Sequence, residues 1–198
     1  MNTTHNPNAP TSLFEAIADN NPHDVAWWLS LGAPLKVVQD AVMFAVKHNS
    51  VACLEVLVST HPLLQYTNAF YGAAQNGLLE CVQLLSPYVT KATFGQALES
   101  AARDGRTSTV VFLSDKIEEQ SFFNTALRTA ALRQQYDCVD VLYPLAQIDE
   151  VLRLLHQYFI GRRSDWGFLE ERYNAEQQKT TLACAVGAGE HTSRVSKL

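Results

Sequence analysis

The sequence predicts an all-α protein, an α-solenoid in which about five similar helical hairpins stack in a row and a helical C-terminal cap closes the stack. Three observations carry this prediction. A small residue recurs every 28 or 29 positions, apolar residues recur at fixed distances from it, and a residue suited to ending a helix follows it. Repetition at this length is typical of solenoids, in which each unit buries its apolar faces only against its neighbours.

The recurring small residue is an alanine, called the repeat alanine of its unit below. The repeat alanines are Ala16, Ala45, Ala73, Ala101 and Ala130. Apolar residues occupy the third position before them, namely Leu13, Val42, Phe70, Leu98 and Leu127. Apolar residues also occupy the ninth position after them, namely Val25, Leu54, Val82, Val110 and Val139. These registers predict two helices per unit, each with one buried stripe, and the small alanine lets the two helices approach closely.

Residues that can end a helix follow each repeat alanine at the fourth position. Gly77 and Gly105 stand there in two units. Glycine is favoured at this point because a helix commonly ends in a left-handed backbone conformation, which asparagine also tolerates. In the other units the position is taken by Asn20, Asn49 and Gln134. The sequence Asn21-Pro22 then predicts a capping residue followed by proline in the first turn of the next helix.

The best-formed unit resembles an ankyrin repeat. Its segment Ala73-Ala-Gln-Asn-Gly-Leu-Leu-Glu-Cys-Val-Gln-Leu-Leu85 follows the second half of the family pattern T-P-L-H-x-A-A-x-x-G-H-x-x-V-V-x-x-L-L. The alanine pair recurs at Ala101-Ala102 and Ala130-Ala131, and the resemblance covers roughly residues 11–155. It implies a protein-binding scaffold whose first helices line a concave surface.

The units depart from the family in their length. Ankyrin repeats have about 33 residues, whereas these units have 28 or 29, and the shortfall lies where the family carries β-hairpin fingers. The connections are apolar and compatible with helix, as in the segments 34–40, 62–68 and 117–123. We therefore expect the first helix of each unit to begin early and the fingers to be short or absent.

The repeats define the predicted domain organisation. Residues 1–11 are expected to form a disordered leader, and residues 12–155 the ankyrin-like array. The units of the array are placed near 12–40, 41–68, 69–96, 97–125 and 126–155. Residues 156–186 are expected to form the cap, with a last helix from Trp166 to about Val186 that Asp165 caps. Residues 187–198 are expected to be a flexible tail.

Composition and sequence features limit which partners and compartments we expect. The chain has 47% hydrophobic and 18% charged residues and a net charge of −5, and its basic residues do not cluster beyond Arg162-Arg163, so we expect no nucleic-acid binding. No run of apolar residues approaches the length of a membrane span, so we expect no membrane insertion either. The start of the chain lacks the features of a secretory signal, which favours a cytoplasmic protein. The alternative is a peroxisomal protein, because Ser196-Lys197-Leu198 matches the peroxisomal address signal. A monomer is expected, and a structural homo-oligomer is the alternative.

No catalytic, cofactor or metal motif stands out. Cys53, Cys81 and Cys138 share the eighth position after a repeat alanine, where a small buried residue is expected, so we interpret them as core. Trp27 and Trp28 also occupy core registers, one expected to pack inward and the other to cover the N-terminal face. The sequence therefore predicts a protein that is not an enzyme and needs no cofactor. The alternative is an array that serves as targeting arm for a small enzymatic or toxin-like activity in residues 156–186.

The predicted partner-binding residues lie on the first helices and point away from the second helices. They are Phe44, Lys47, His48, Tyr71, Gln75, Asn76, Arg103, Asp104, Arg128 and Arg133. Aromatic residues at one end and arginines at the other would suit an acidic, partly apolar protein surface. The simpler alternative is that each is a solvated helix position. By analogy with other degenerate arrays of this kind, an effector or inhibitor is one form that the function could take.

Overall fold

A computed structural model describes the backbone of residues 12–159, 161 and 163–195, with side chains up to residue 181. This part of the chain is all-helical and contains no β-strand. Its helices are α1 (Leu13–Ala18), α2 (Pro22–Ser30), α3 (Leu35–Lys47), α4 (Val51–Thr60), α5 (Thr67–Asn76), α6 (Leu79–Leu85), α7 (Lys91–Arg103), α8 (Thr107–Ser114), α9 (Gln120–Leu132), α10 (Tyr136–Leu142), α11 (Ile148–Tyr158) and α12 (Arg163–Val195). The predicted leader 1–11 and the signal-like Ser196-Lys197-Leu198 lie outside the described residues.

The helices pack as consecutive hairpins in two rows. Each odd-numbered helix from α1 to α9 contacts the even-numbered helix that follows it. The odd-numbered helices also contact one another in sequence, from α1 through α3, α5, α7 and α9 to α11. The even-numbered helices from α2 to α10 do the same. Each inner unit therefore buries one side against the unit before it and the other side against the unit after it.

The turns inside the hairpins confirm the predicted helix ends. Gly77 and Gly105 have φ angles of 74° and 70°. The same left-handed region holds Asn20, Asn49 and Gln134. At the start of α2 the Asn21 side chain accepts hydrogen bonds from the backbone N–H groups of His23 and Asp24, as predicted for a cap before Pro22. Local sequence thus determines where the first helix of each hairpin ends.

The predicted apolar registers form the core. The repeat alanines are fully buried, and so are the residues at the ninth position after them except Val139, which is 1% exposed. A second alanine, four positions before the repeat alanine, is buried in four units: Ala41, Ala69, Ala97 and Ala126. Two small residues one turn apart let α3, α5, α7 and α9 lie close to their neighbours, and the bulky buried residue next to each pair fills the remaining space.

The cysteines of the repeat register, Cys53, Cys81 and Cys138, are buried, as predicted, and each approaches a residue of the preceding unit. The Sγ atom of Cys81 lies 3.5 Å from Oδ1 of Asn49, the residue that ends α3 one unit earlier. Cys53 approaches Asn20 in the same way at 3.8 Å. Thr109 occupies the same register, and the turn of the preceding unit there holds Gly77, which has no side chain to accept a hydrogen bond. The buried Thr109 hydroxyl has no partner among the described residues. The preceding turn holds Gly105 in the case of Cys138, whose Sγ atom lies 3.6 Å from the Thr107 hydroxyl instead, so the partner at this register changes from unit to unit.

The unit boundaries differ from the predicted ones. The predicted divisions at 40/41, 68/69, 96/97 and 125/126 fall inside α3, α5, α7 and α9. The first helices begin early, as the apolar connections indicated. The described residues between hairpins form short linkers and the 3₁₀ turns Ser86–Tyr88 and Tyr143–Leu145, without a β-hairpin. The linkers between helices, rather than the repeat alanines, mark the ends of the units.

The C-terminal segment continues the two rows and differs from its predicted bounds. Helix α11 packs on α9 in the odd-numbered row. Helix α12 packs on α11, and its Phe168 meets Tyr136 of α10 with ring centroids 4.9 Å apart. The two helices stand in the place of a sixth hairpin, so the predicted fifth unit, ending at residue 155, took in most of its first helix.

Helix α12 starts before the predicted cap and runs past the predicted end. Asp165 lies in its first turn instead of preceding it, and the backbone stays helical to Val195, beyond Val186 and into the segment expected to be a flexible tail. The anchor of the helix is Trp166, which is fully buried and donates from Nε1 to the carbonyl oxygen of Phe159 at 3.2 Å. The segment is therefore fixed to the stack at its start.

Candidate binding surface

One face of the odd-numbered helices is left free by the packing. It comprises the fifth, second and first positions before the repeat alanine and the second position after it, and we call it the first-helix face. In α3 these positions hold Asp40, Met43, Phe44 and Lys47, all exposed or half-buried. They fall between the buried registers because a helix turns by 3.6 residues. The face points away from the even-numbered row.

The first-helix face contains a groove between α1, α3 and α5. Its volume is about 720 Å³, within the range of ligand-binding clefts. It is lined by Phe14, Asp40, Met43, Phe44, Val46, Lys47, Gly72, Asn76 and Leu78. Most of this lining is apolar, with one acidic and one basic side chain, and we call it the apolar groove.

The groove is open because Gly72 has no side chain. A Cβ atom added at Gly72 would meet only the Cε atom of Met43, at 4.0 Å. The same register holds Phe44 one unit earlier, so a bulky side chain on α3 lies next to a position without a side chain on α5. Phe44 forms one wall, packed edge-on against Phe14 with 5.4 Å between ring centroids. The ring of His48 lies 4.1 Å from that of Phe44 and extends the wall.

Three predicted binding residues line the groove, and two lie beside it. Phe44, Lys47 and Asn76 are lining residues. The Asn76 Nδ2 atom donates to the carbonyl oxygen of Gly72 at 2.8 Å, which holds this side chain against the groove. His48 borders the wall. Gln75 has an exposed side chain, and its carbonyl oxygen accepts from Nε of Arg106 at 3.0 Å.

The other predicted residues lie farther along the face and do not join the groove. Tyr71 donates from its hydroxyl to Gln96 of α7 and so bridges two units. Arg103 pairs with its neighbour Asp104, with 3.3 Å between Nε and Oδ1. Because the pair is internally neutralised, Arg103 does not supply the free positive charge that the sequence suggested.

Arg128 and Arg133 occupy separate places. Arg128 lines a polar cleft of about 250 Å³ between α9 and α11, which also contains Glu150. Arg133 is exposed at the end of α9. The ten predicted residues therefore divide into a group at the apolar groove and a set of scattered polar positions toward the C-terminus.

Sequence reasoning missed six lining residues, of which Val46 and Leu78 belong to the packed frame and Phe14, Asp40, Met43 and Gly72 shape the open part of the groove. The register could have identified three of them, because Phe14, Met43 and Tyr71 all stand two positions before a repeat alanine, and Asp40 stands at the fifth. A signal for Gly72 also existed. Glycine in the middle of a helix costs about 1 kcal/mol relative to alanine, so one that no turn requires calls for a packing or functional reason.

The buried titratable groups do not form a second site. Burial raises the pKa of the thiols of Cys53, Cys81 and Cys138, which keeps them protonated and weakly nucleophilic. Among the described residues, no group of three or more His, Cys, Asp or Glu side chains could hold a metal ion. No helix in the same part of the chain combines the length and the apolar composition that a bilayer span requires.

The described part of segment 156–186 carries a small charged cluster. Glu170 accepts from His156 Nε2 at 3.2 Å and from Arg163 at 2.7 Å. The His156 ring also packs edge-on against Trp166, with 4.8 Å between centroids. These contacts join α11 to α12, so the cluster is accounted for by the packing of the last hairpin.

Comparison with models of known protein families and with curated proteins found no match to this chain.

Proposed function

We propose that this chain is a non-enzymatic interaction scaffold, an α-solenoid of ankyrin-like hairpins that binds a partner protein through its first-helix face. In this proposal the even-numbered helices and the last hairpin provide support. The apolar groove provides the anchor for the partner, and the polar positions toward α9 and α11 provide additional contacts.

The observation that carries the proposal is the contrast between buried and exposed registers within the chain. Four positions before the repeat alanine, four units have a buried alanine. Two positions before it, the side chains differ in every unit: Phe14, Met43, Tyr71, Glu99 and Arg128. The packing between hairpins allows only a small residue at the buried position, whereas side chains of any size fit at the exposed position on the first-helix face. A face on which each unit presents a different side chain from a repeated frame suits recognition of an irregular partner surface.

Rigid presentation is the physical advantage of this arrangement. The side chains of the face project from packed helices, so little backbone order has to be gained on binding. A partner side chain placed over Gly72 would pack against the Phe14–Phe44 wall in the centre of the interface. The polar groups around the groove would form its rim, as in typical protein interfaces.

Affinity capture from cell lysate with three forms of the chain tests the proposal. The face variant is Met43→Glu/Arg128→Ala. The matched control, Val111→Glu/Lys116→Ala, makes the same charge change at exposed positions of α8 and its following turn. We expect wild type and control to capture the same protein in similar amounts. The face variant should capture at least about tenfold less of it, because the partner would bury the new carboxylate at position 43 without a pairing group.

Circular dichroism must show that all three forms are folded. The proposal is wrong if folded wild type captures no protein above a blank matrix, or if the face variant captures the same proteins in the same amounts as the control.

A further inference from the structure

The most informative feature beyond the general surface is the pattern of charges around the apolar groove. Resting on the proposed function, we propose that the groove binds a short linear segment of the partner, in which a bulky apolar side chain lies between a basic and an acidic residue. The apolar side chain occupies the space over Gly72, the basic residue faces Asp40, and the acidic residue faces Lys47.

The apolar anchor follows from the shape and lining of the groove. Gly72 leaves an empty position between the Met43 side chain, which is 41% exposed, and the Phe14–Phe44 wall. Methionine is flexible and adapts to apolar groups of different shape. A volume of about 720 Å³ exceeds that of any single side chain, so the groove accommodates an anchor residue together with the backbone that carries it.

The charges give the segment its direction. Asp40 and Lys47 lie on the same face of α3, two helical turns apart, which places them about 10 Å apart along the helix axis. Neither side chain forms an ion pair or hydrogen bond within the described part of the chain. Two unpaired charges of opposite sign at the two ends of an apolar groove are complementary to a ligand that carries both signs.

The same charges disfavour other occupants. An apolar small molecule would leave both charges unmatched, and a fatty acid could pair with Lys47 but not with Asp40. A peptide segment matches both. A peptide also brings backbone N–H groups, and Asn76 can accept a hydrogen bond from one of them. Its Nδ2 atom already donates to Gly72, whereas its Oδ1 atom has no donor among the described residues.

The test selects peptides from a random library displayed on phage, with folded full-length wild type as bait. Peptides enriched over blank beads are synthesised, and their binding is measured by isothermal titration calorimetry. We expect the enriched peptides to share a bulky apolar residue with a Lys or Arg on one side and an Asp or Glu on the other, in one direction of the chain.

Two sets of variants test the two parts of the proposal. Gly72→Leu fills the groove, and we expect it to weaken binding of the selected peptides roughly tenfold or more. Ala175→Leu adds the same side chain to an exposed position of α12 and should leave affinity unchanged. The charge-exchanged variant Asp40→Lys/Lys47→Asp should lose roughly tenfold in affinity for the selected peptides and regain it for peptides with the two charges reversed.

Three results would overturn the proposal. One is that no peptide is enriched on wild type, and another is that selected peptides bind Gly72→Leu as tightly as wild type. The third is that the groove binds the aromatic dye 1-anilinonaphthalene-8-sulfonate in a Gly72-dependent way while no peptide competes, which would identify a small-molecule site. If Met43→Glu/Arg128→Ala still abolishes capture of a partner in any of these cases, the scaffold function stands and only the peptide segment is wrong.

Discussion

The first-helix face is open around α3 and α5, whereas between α7 and α9 several of its polar side chains pair with one another. In the first region, Asp40 and Lys47 have no partner among the described residues and Gly72 leaves an empty position. In the second, Arg103 pairs with Asp104, and Thr129 donates to Glu99 at 3.4 Å. Both regions are exposed, so exposure alone does not identify a binding site. Under the proposed function, we expect binding where polar and apolar groups remain unmatched among the described residues.

The two ends of the stack differ in the same sense. Trp166 at the C-terminal end is fully buried between α11 and α12, whereas Trp27 on α2 is 43% exposed. A terminal unit of a repeat array normally seals the core behind a polar surface. The last hairpin does so, and the first retains an exposed aromatic ring.

The largest expected effect tests the difference between the ends. Trp166→Ala should lower the free energy of unfolding by about 3–5 kcal/mol, because it leaves a large cavity and removes the hydrogen bond to Phe159. Trp27→Ala, its counterpart, should cost about 1 kcal/mol or less since the ring already contacts water. Urea unfolding followed by circular dichroism measures both. Equal losses would show that the two ends are sealed alike.

A pair of mid-helix glycines tests how closely α5 and α7 are approached by the side chains around them: Gly72 lies on the open face and Gly95 is buried. Gly95→Ala in α7 should destabilise the protein by about 1–3 kcal/mol, because the new methyl group would clash with the ring of Phe122. Gly72→Ala in α5 should stabilise it by about 0.5–1 kcal/mol, because alanine is the better helix former and meets only Met43.

Thermal and urea unfolding of the two glycine variants give the signs directly. In the background of Phe122→Ala the clash is absent, so Gly95→Ala should then lower the free energy of unfolding by less than it does in wild type. A stability gain from Gly95→Ala alone would mean that α7 is as open as α5.

Two buried tyrosines, one in each half of the chain, predict a loss of stability at alkaline pH. Burial raises the pKa of Tyr66 to about 12, with a smaller effect from Tyr88. Burial also raises the pKa of Tyr143 to about 12, with Glu176 adding to the rise. Between about pH 10 and pH 12 the unfolded chain releases these protons while the folded chain retains them. The free energy of unfolding should therefore fall with rising pH, by at most about 1.4 kcal/mol per pH unit for each tyrosine.

Urea titrations at several alkaline pH values, with absorbance near the phenolate band, measure this loss. In Tyr66→Phe the free energy of unfolding should fall less steeply with pH, because one of the two titrating tyrosines is removed. An unchanged slope in that variant would show that Tyr66 titrates alike in the folded and unfolded states.

The smallest expected effect concerns two buried threonines. Thr109→Val should stabilise the protein by about 1 kcal/mol, because the Thr109 hydroxyl is buried without a partner among the described residues. Thr93→Val, the same substitution, should destabilise by about 1 kcal/mol, because Thr93 shares a hydrogen bond with Thr90 at 3.0 Å. Chemical unfolding of the two variants should show opposite signs. A loss from Thr109→Val would indicate that water reaches this hydroxyl.

Much of the fold could be predicted because its signals are periodic or local. The repeat alanines and their apolar partners recur at fixed spacing, and all of them are buried. Gly77, Gly105 and Asn49 end helices through their own backbone preferences, which depend on no distant contact. The cap at Asn21 was equally local.

The site was predicted only in part, because it depends on contacts between distant residues. Phe44, Lys47 and Asn76 were placed on the right face by helical period, and the structure brings them together at the groove. The neutralisation of Arg103 depended on a rotamer that spacing does not reveal. Tyr71 is engaged by Gln96, which lies 25 residues later in the sequence.

The sequence by itself determined that this chain forms consecutive helical hairpins, which faces of the helices are buried and where the first helix of each hairpin ends, since these properties follow from residue type and spacing. Only the tertiary structure decided where the units begin, that α11 and α12 stand as a sixth hairpin, and that Gly72 opens a groove beside Phe44. Those features depend on which side chain of one unit faces which side chain of the next. Such pairings join residues about 28 positions apart, and the repeat pattern fixes their registers without fixing whether the space between them is filled.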